Sequence, residues 1–349
     1  MPLVVLTRRR GGGRALPPAQ TSENNRTCAG RVGSFGYELQ DAATYCDWGV
    51  DFVKIDHCGS GAPGIDGPAH MNQSWVAFRE GFDACAARGG RSMVMSVEYC
   101  TAPVALKQCV GWFASSDPTH DDLRPCEQWV REAGANMWRV ASDIKPHPET
   151  LLHNAFCGSN LQQLAGHWGG VSHGGANGSG HWNDLDLLQV GNGGMSVGWE
   201  QLHFSLWSIL AAPLLISTDI LSISNASLEV LLNAAVISVN QDALGVQGKA
   251  LRQTEPGQPV FTDGWAAFAK PLSGGDVALL VINSNAAALN ASLGFTELGL
   301  PAGTASVGVR NLWTNATLLA IADGKLPIEL GGAKGGAAMF VMLRLVPGK

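Results

Sequence analysis

The sequence predicts a (β/α) barrel of parallel strands followed by a smaller antiparallel β domain. Three observations carry this. From Ser34 onward one unit recurs: a helix, a glycine stop, a strand, and an acidic residue at its end. Asp56, Glu98, Asp143 and Asp186 follow one another at intervals of 42, 45 and 43 residues. Strands alternating with helices at a fixed period build parallel βαβ units. Second, the acidic residues recur at strand ends, the rim that carries the active site of such barrels, which favours closure over an open doubly wound sheet. Third, around Leu251 the helical period gives way to short alternating runs separated by Gly, Pro and Asn turns, the pattern of an antiparallel β domain.

Residues 1–20 read as a low-complexity lead-in, with Arg8-Arg9-Arg10 followed by Gly11-Gly12-Gly13. The short apolar run of Met1–Thr7 precedes this charge, whereas a signal peptide places its charge first. Glu38–Trp48 is expected to be a helix stopped by Gly49. The run Val50, Phe52, Val53 and Ile55 has the β-branched and aromatic composition of a buried strand. It ends at Asp56, before Gly59-Ser60-Gly61. Met71–Arg88 has helical spacing in Trp75, Phe78, Phe82 and Cys85 and stops at Gly89-Gly90. Arg91–Tyr99 is then a strand with Glu98 at its end. A helix over Pro125–Ala133 leads into the strand Met137–Ala141 and Asp143. His181–Val190 reads as a further strand segment carrying Asp184 and Asp186. Leu202–Ala212 is a helix and Pro213–Ser217 a strand ending at Asp219. Beyond Leu251 the strand runs are Val260–Phe261, Trp265–Ala269, Val277–Ile282 and Ala338–Leu345. The expected division is therefore lead-in 1–20, barrel 21–250 and β domain 251–349.

Composition narrows the function. Of 349 residues, 46% are hydrophobic and 15% charged, which provides for a sizeable core, and the net charge of −6 argues against nucleic acid or an anionic membrane as partner. No apolar run approaches the roughly 20 residues that span a bilayer. No GxGxxG or Walker loop follows a strand, which weakens a nucleotide-binding reading. The 8 cysteines include no CxxC pair, so no zinc ribbon is expected. Six Asn-x-Ser/Thr sequons, at Asn25, Asn72, Asn177, Asn225, Asn290 and Asn315, fit a secreted or lysosomal (vacuolar) route together with the cysteines. His167, His173 and His181 fall in a Gly-rich stretch at a spacing that matches no ligand set, so they are read as incidental and no metal is expected.

Two carboxylates on one barrel rim, one kept ionised and one able to donate a proton, are what glycoside cleavage requires. Lys54, two residues before Asp56 on the same strand face, suits Asp56 to the ionised role. Asp143 follows Trp138-Arg139. At these residues the chain resembles the α-galactosidases of glycoside hydrolase family 27, and five segments match in order. Thr27–Tyr37 is similar to the loop after the family's third strand. Asp51–Cys58 resembles its nucleophile strand and Trp138–Ile144 its acid/base segment. His181–Met195 is similar to its seventh strand. Ala211–Ile220 with Val236–Gly248 resembles its eighth strand and the exit from the barrel.

The resemblance implies a (β/α)8 TIM-type barrel with a C-terminal antiparallel β-sandwich, and a retaining hydrolase of terminal α-D-galactosyl residues that uses no cofactor. It implies Asp56 as nucleophile and Asp143 as general acid/base. Lys54, Glu98, Arg139 and Leu187 would bind substrate, and a Cys28–Cys58 disulfide would buttress the site. Glu98 stands where the related N-acetylgalactosaminidases carry a small residue, which favours galactose. The partner implied is a carbohydrate, with a homo-oligomer left open. His57 departs from the family's usual Asn or Gly, and Leu185 and Leu187 from its Pro and Met. The family's first three strands, with a Trp and an Asp pair that grip the sugar, have no counterpart before the matched region, so the barrel is expected to be incomplete. Two alternatives follow: a related pyranosidase (β-L-arabinopyranosidase or α-N-acetylgalactosaminidase), or a catalytically inert remnant.

Overall fold

A computed structural model of the chain describes residues 19–22, 24–58, 68–98, 130–160, 180–251, 264–321, 324–332 and 337–345. These fall into two compact units, one of residues 19–142 with 180–184, the other of 143–160 with 185–345.

The first unit is built on a parallel sheet. Its strands are β1 (Ala19–Ser22), β2 (Phe52–Asp56), β3 (Val94–Val97), β4 (Met137–Arg139) and β5 (Trp182–Asp184), hydrogen-bonded in that sequential order. All four pairings are parallel. Helix α1 (Glu38–Asp47) follows β1, and α2 (Pro68–Ala87) follows β2. Chain order equals spatial order, as expected of right-handed βαβ crossovers. The helix stop at Gly49 is conformational: its φ is +71°, a left-handed backbone that glycine adopts without steric cost. Phe52, Val53 and Ile55 are buried from β2, and Trp75, Phe78 and Phe82 from α2. A disulfide Cys46–Cys85 joins α1 to α2.

The second unit holds α3 (Pro148–Asn160), α4 (Val197–Ile209), α5 (Asn225–Leu231) and α6 (Ala234–Asn240), then the β domain. There β6 (Lys249–Ala250), β7 (Trp265–Pro271), β8 (Val277–Asn283), β10 (Val307–Asn311), β11 (Thr317–Ile321) and β13 (Ala337–Leu345) form a 6-stranded sheet in the order β11-β10-β13-β8-β7-β6. β9 (Leu289–Gly294) and β12 (Lys325–Leu330) form a 2-stranded sheet. All these pairings are antiparallel. Between the sheets lies an apolar core that includes Trp265, Leu279, Val281, Phe295, Val309 and Ile328. The opposite face of β8 and β13 packs on α4, whose residues 202–209 are buried without exception.

Parallel sheet and antiparallel sandwich are as the sequence predicts, with corrections of detail. A strand not expected from composition, Ala19–Ser22, pairs with β2 through Ala19↔Val53 to Ser22↔Asp56. The β2 edge supplies its hydrogen bonds, so it needs no strong propensity of its own. Pro213–Ser217 is not a strand; it contributes one parallel bridge, Leu188↔Ile216. The segment His181–Val190 is a strand only at Trp182–Asp184, because Asp186 has φ +80° and breaks the extended run. Of the helix expected at Pro125–Ala133, residues 130–132 are described and helical. Among the described residues the parallel sheet holds five strands, fewer than the eight of a complete barrel. The Val260–Phe261 run, His167, His173, Asn177, Cys100, Cys109 and Cys126 lie outside the described residues.

Candidate active site

The register of the parallel sheet sets one group of side chains level with another. Ser22 pairs with Asp56, Lys54 with Ser96, and Arg139 with Asp184. Glu98 lies two residues beyond Ser96 and donates its amide to the Ile55 carbonyl at 2.9 Å. Ser22, Asp56, Glu98, Arg139 and Asp184 therefore stand together at the C-terminal ends of the five strands, the functional rim of a parallel α/β sheet.

Three charges make the centre of this group. Lys54 Nζ is 2.7 Å from Glu98 Oε2, and Arg139 Nη1 is 3.6 Å from Glu98 Oε1. Glu98 and Arg139 are buried, at 3% and 2% exposure. Burial lifts the Glu98 carboxyl above its ordinary value, against the opposing pull of Arg139 and Lys54. The Lys54 ammonium is also raised: burial, the largest influence, opposes this, and Glu98 outweighs it with a smaller contribution from Asp56. Lys54 is thus kept charged chiefly by Glu98, not by the residue two places along its own strand. Arg139 also donates to the Ala141 carbonyl at 3.2 Å. Carboxylate and cations fix one another, as a buried charge requires.

Asp56 is half-buried at the end of β2, and its Oδ1 accepts the His57 amide at 2.9 Å. The backbone immediately beyond it is held from two sides. Ser22 Oγ donates to the Cys58 carbonyl at 2.8 Å and accepts the Cys58 amide at 3.2 Å. Cys58 is also disulfide-bonded to Cys28, as the resemblance implies. The Asp56 carboxylate and both sulfurs lie within 4.8 Å of one another. With the sulfurs bonded together, neither is a thiolate able to ligate a metal. The role of Ser22 was not legible in the sequence, because Ala-Gln-Thr-Ser carries no strand signature. At the opposite end of the sheet, just ahead of β5, His181 is buried, and its Nδ1 lies 2.7 Å from the Ala135 carbonyl. A carbonyl only accepts, so that nitrogen carries the proton and is committed to the backbone.

Asp143 and Leu187 belong to the second compact unit. Asp143 is exposed on the connection between β4 and α3, and the next amide, that of Ile144, donates to Asp186 Oδ2 at 2.8 Å. Leu187 is 39% exposed and follows the left-handed Asp186. Lys54, Asp56, Glu98, Arg139 and the disulfide are thus brought together within one unit, and Asp143 and Leu187 within the other.

The chain is similar to known proteins over most of its length. A family model described as alpha galactosidase A matches residues 20–242, and one described as the alpha galactosidase C-terminal beta sandwich domain matches 262–341. The chain is 31% identical over 308 residues to an alpha-galactosidase of Cyamopsis tetragonoloba, covering 88% of this chain and 62% of that protein. It is 34% identical over 263 residues to alpha-galactosidase A of Homo sapiens, covering 74% of this chain and 51% of that one. The chain thus spans less than two thirds of the length of these relatives. The fold superimposes on the crystal structure of alpha-galactosidase I from Mortierella vinacea with a TM-score of 0.71 at 21% identity, over 94% of this chain and 77% of that one. With the first model covering well over half of its residues, the chain belongs to the alpha galactosidase A (melibiase) family of glycoside hydrolases.

Proposed function

We propose that this chain carries the nucleophile and the acid/base of a retaining α-galactosidase. Asp56 attacks the anomeric carbon of a terminal α-galactosyl residue while Asp143 protonates the departing oxygen. This forms a β-linked galactosyl ester on Asp56. Asp143, now a carboxylate, then takes a proton from water as that water opens the ester, and two inversions give net retention. Proton transfer and carboxylate attack suffice, so no cofactor takes part. The observation that carries this reading is the end of β2. A half-buried carboxylate stands there beside a Lys54–Glu98–Arg139 ion network, on backbone clamped by Ser22 and the Cys28–Cys58 disulfide. Such clamping restricts Asp56 to few orientations, and a fixed nucleophile reacts faster than a mobile one.

Lys54, at the open side of the network with 26% of its side chain exposed, and Arg139 serve as hydrogen-bond donors to sugar hydroxyls. Glu98 holds both cations in place. A carboxylate of this size, paired on both oxygens, also leaves no room for a 2-acetamido group, which favours galactose over N-acetylgalactosamine. Leu187 offers an apolar edge for a sugar face. The barrel over 21–250 is the catalytic domain, and the sandwich over 251–349 supports it. The Cys28–Cys58 and Cys46–Cys85 disulfides suit a secreted or lysosomal setting. Among the described residues no helix is long and apolar enough to cross a membrane.

A slowly turned-over 5-fluoro-galactosyl fluoride tests this reading directly. Incubated with the purified protein, it is expected to lose its anomeric fluoride and add one 5-fluorogalactosyl group to the peptide containing Asp56, with no label on Asp56→Asn. The first-formed sugar from an aryl α-galactoside, followed by proton NMR, is expected to be the α-anomer. Label on another residue, a β-anomer formed first, or no turnover of any α-galactoside would overturn it. Faster turnover of a β-L-arabinopyranoside or an α-N-acetylgalactosaminide would reassign the substrate.

A further inference from the structure

We infer that Asp186 is a positioning residue for Asp143, an inference that rests on the acid/base role proposed above. Asp186 stands out in the backbone. Its φ of +80° puts a residue with a Cβ into the left-handed region, which persists only where the surroundings over-determine it. Three hydrogen bonds do so. Trp207 Nε1 donates to the Asp186 carbonyl at 2.8 Å, and the carboxylate accepts the Leu187 amide at 2.7 Å on Oδ1 and the Ile144 amide at 2.8 Å on Oδ2. The left-handed turn is what aims the carboxylate back at the Ile144 amide, the first peptide N–H after Asp143.

The support comes from a single face of α4. Trp207 is fully buried and meets the His203 ring edge-on, with centroids 4.0 Å apart. His203 Nε2 accepts the Gln189 amide at 2.9 Å, and Glu200 Oε1 accepts the Gly191 amide at 2.9 Å. Glu200, His203 and Trp207 recur at helical spacing, so one rigid stripe pins the chain from Asp186 to Gly191. Beyond it, Gly194 has φ +79°, and a Cβ there would lie 2.6 Å from the Pro146 carbonyl oxygen. The turn carrying Asp143 is therefore held at Ile144 by a hydrogen bond and at Pro146 by close backbone packing. Asp143 itself is exposed and lies in no regular element, so the course of its backbone is set by these anchors. An acid/base must sit within hydrogen-bond reach of the glycosidic oxygen. Asp186 meets that requirement for Asp143 without touching substrate.

The test compares Asp186→Ala, Asp186→Asn, Trp207→Phe and Asp143→Asn on two galactosides, phenyl (a poor leaving group) and 2,4-dinitrophenyl (a good one). Asp186→Ala is expected to lower kcat/KM, which reports only the first, galactosyl-transferring step, on the phenyl galactoside by about 10- to 100-fold, part of the 10²–10⁴-fold that a general acid supplies. On the dinitrophenyl galactoside the loss should stay within about 3-fold, because that leaving group departs without a proton. The alkaline limb of the pH profile should shift with it. Asp186→Asn keeps one oxygen acceptor, so it can hold the Ile144 amide only with its NH2 turned toward the Leu187 amide, and should restore part of the rate. Trp207→Phe, which leaves the carboxylate in place, should show the same selectivity more weakly and serves if Asp186→Ala does not fold. Equal losses of kcat/KM on both substrates, or an unchanged kcat/KM, would overturn the positioning role while leaving the acid/base assignment intact, provided the kcat/KM loss of Asp143→Asn is selective for the poor leaving group. If Asp143→Asn shows no such selectivity, the acid/base assignment itself falls, and the positioning role with it.

Discussion

Acidification should destabilise this protein through His203. The imidazole is fully buried on α4, and its Nε2 accepts the Gln189 amide, a bond that only the neutral ring can make. Burial pushes its pKa from 6.5 down to about 3. Between those values the unfolded chain holds a proton on this residue and the folded chain does not. The unfolded state therefore binds more protons, and stability falls as pH falls. The contribution is complete above pH 6.5 and is lost progressively toward pH 3. The slope is about 1.4 kcal/mol per pH unit, so at pH 5 about 2 kcal/mol is gone. That is a large part of the 5–15 kcal/mol typical of a domain. Urea unfolding of the wild-type protein and of His203→Phe, at intervals from pH 7.5 to 4.5, isolates the effect. The variant loses the Gln189 bond at every pH, but the stability difference between the two proteins should shrink by about 1.4 kcal/mol per unit below pH 6.5. Other acid-sensitive groups cancel in that difference. Parallel curves for the two proteins would refute the reasoning.

Two further predictions concern buried charges. Glu98→Ala leaves Arg139 and Lys54 facing one another without their shared carboxylate. It should cost about 3–5 kcal/mol, the usual result of removing one partner of a buried ion pair, with Glu98→Gln costing less; chemical denaturation midpoints read both. Lys270, fully buried with Nζ donating to the Val239 carbonyl at 2.7 Å, is pushed down by burial to about 8 from 10.5, against a weaker upward pull from Asp242. Between pH 8 and 10.5 the unfolded chain binds the extra proton. Wild type should therefore gain about 1.4 kcal/mol per pH unit relative to Lys270→Met across that range, and a constant difference between the two would refute it.

The sequence by itself determined the elements whose signal is local. The β-branched run of β2 and the helix that Gly49 ends are patterns a chain carries within a dozen residues, because side-chain spacing and backbone freedom are properties of neighbours. So are the alternating strands β7, β8 and β13. The position of Asp56 at the end of β2 followed from the same pattern, and the Cys28–Cys58 bridge from the family resemblance. The short α5 and α6 were not predicted, although Ser224 and Asn233 cap them by accepting the amides of Ser227 and of Ala235 and Val236. Tertiary structure alone decided the rest. Lys54 and Glu98 are 44 residues apart in the chain, and only the parallel register Lys54↔Ser96 brings them level, giving Lys54 a partner other than Asp56. Ala19–Ser22 became a strand because β2 offered it an edge, and Pro213–Ser217 did not because it found a single bridge. The Cys46–Cys85 bridge was likewise not predicted. The left-handed turn at Asp186 has no signature in its own residues; it exists because Trp207, on a helix beyond it, and Ile144, on a turn before it, hold both ends of the peptide. Strain of that kind is stabilised by what surrounds a residue in space, which its neighbours in sequence do not specify.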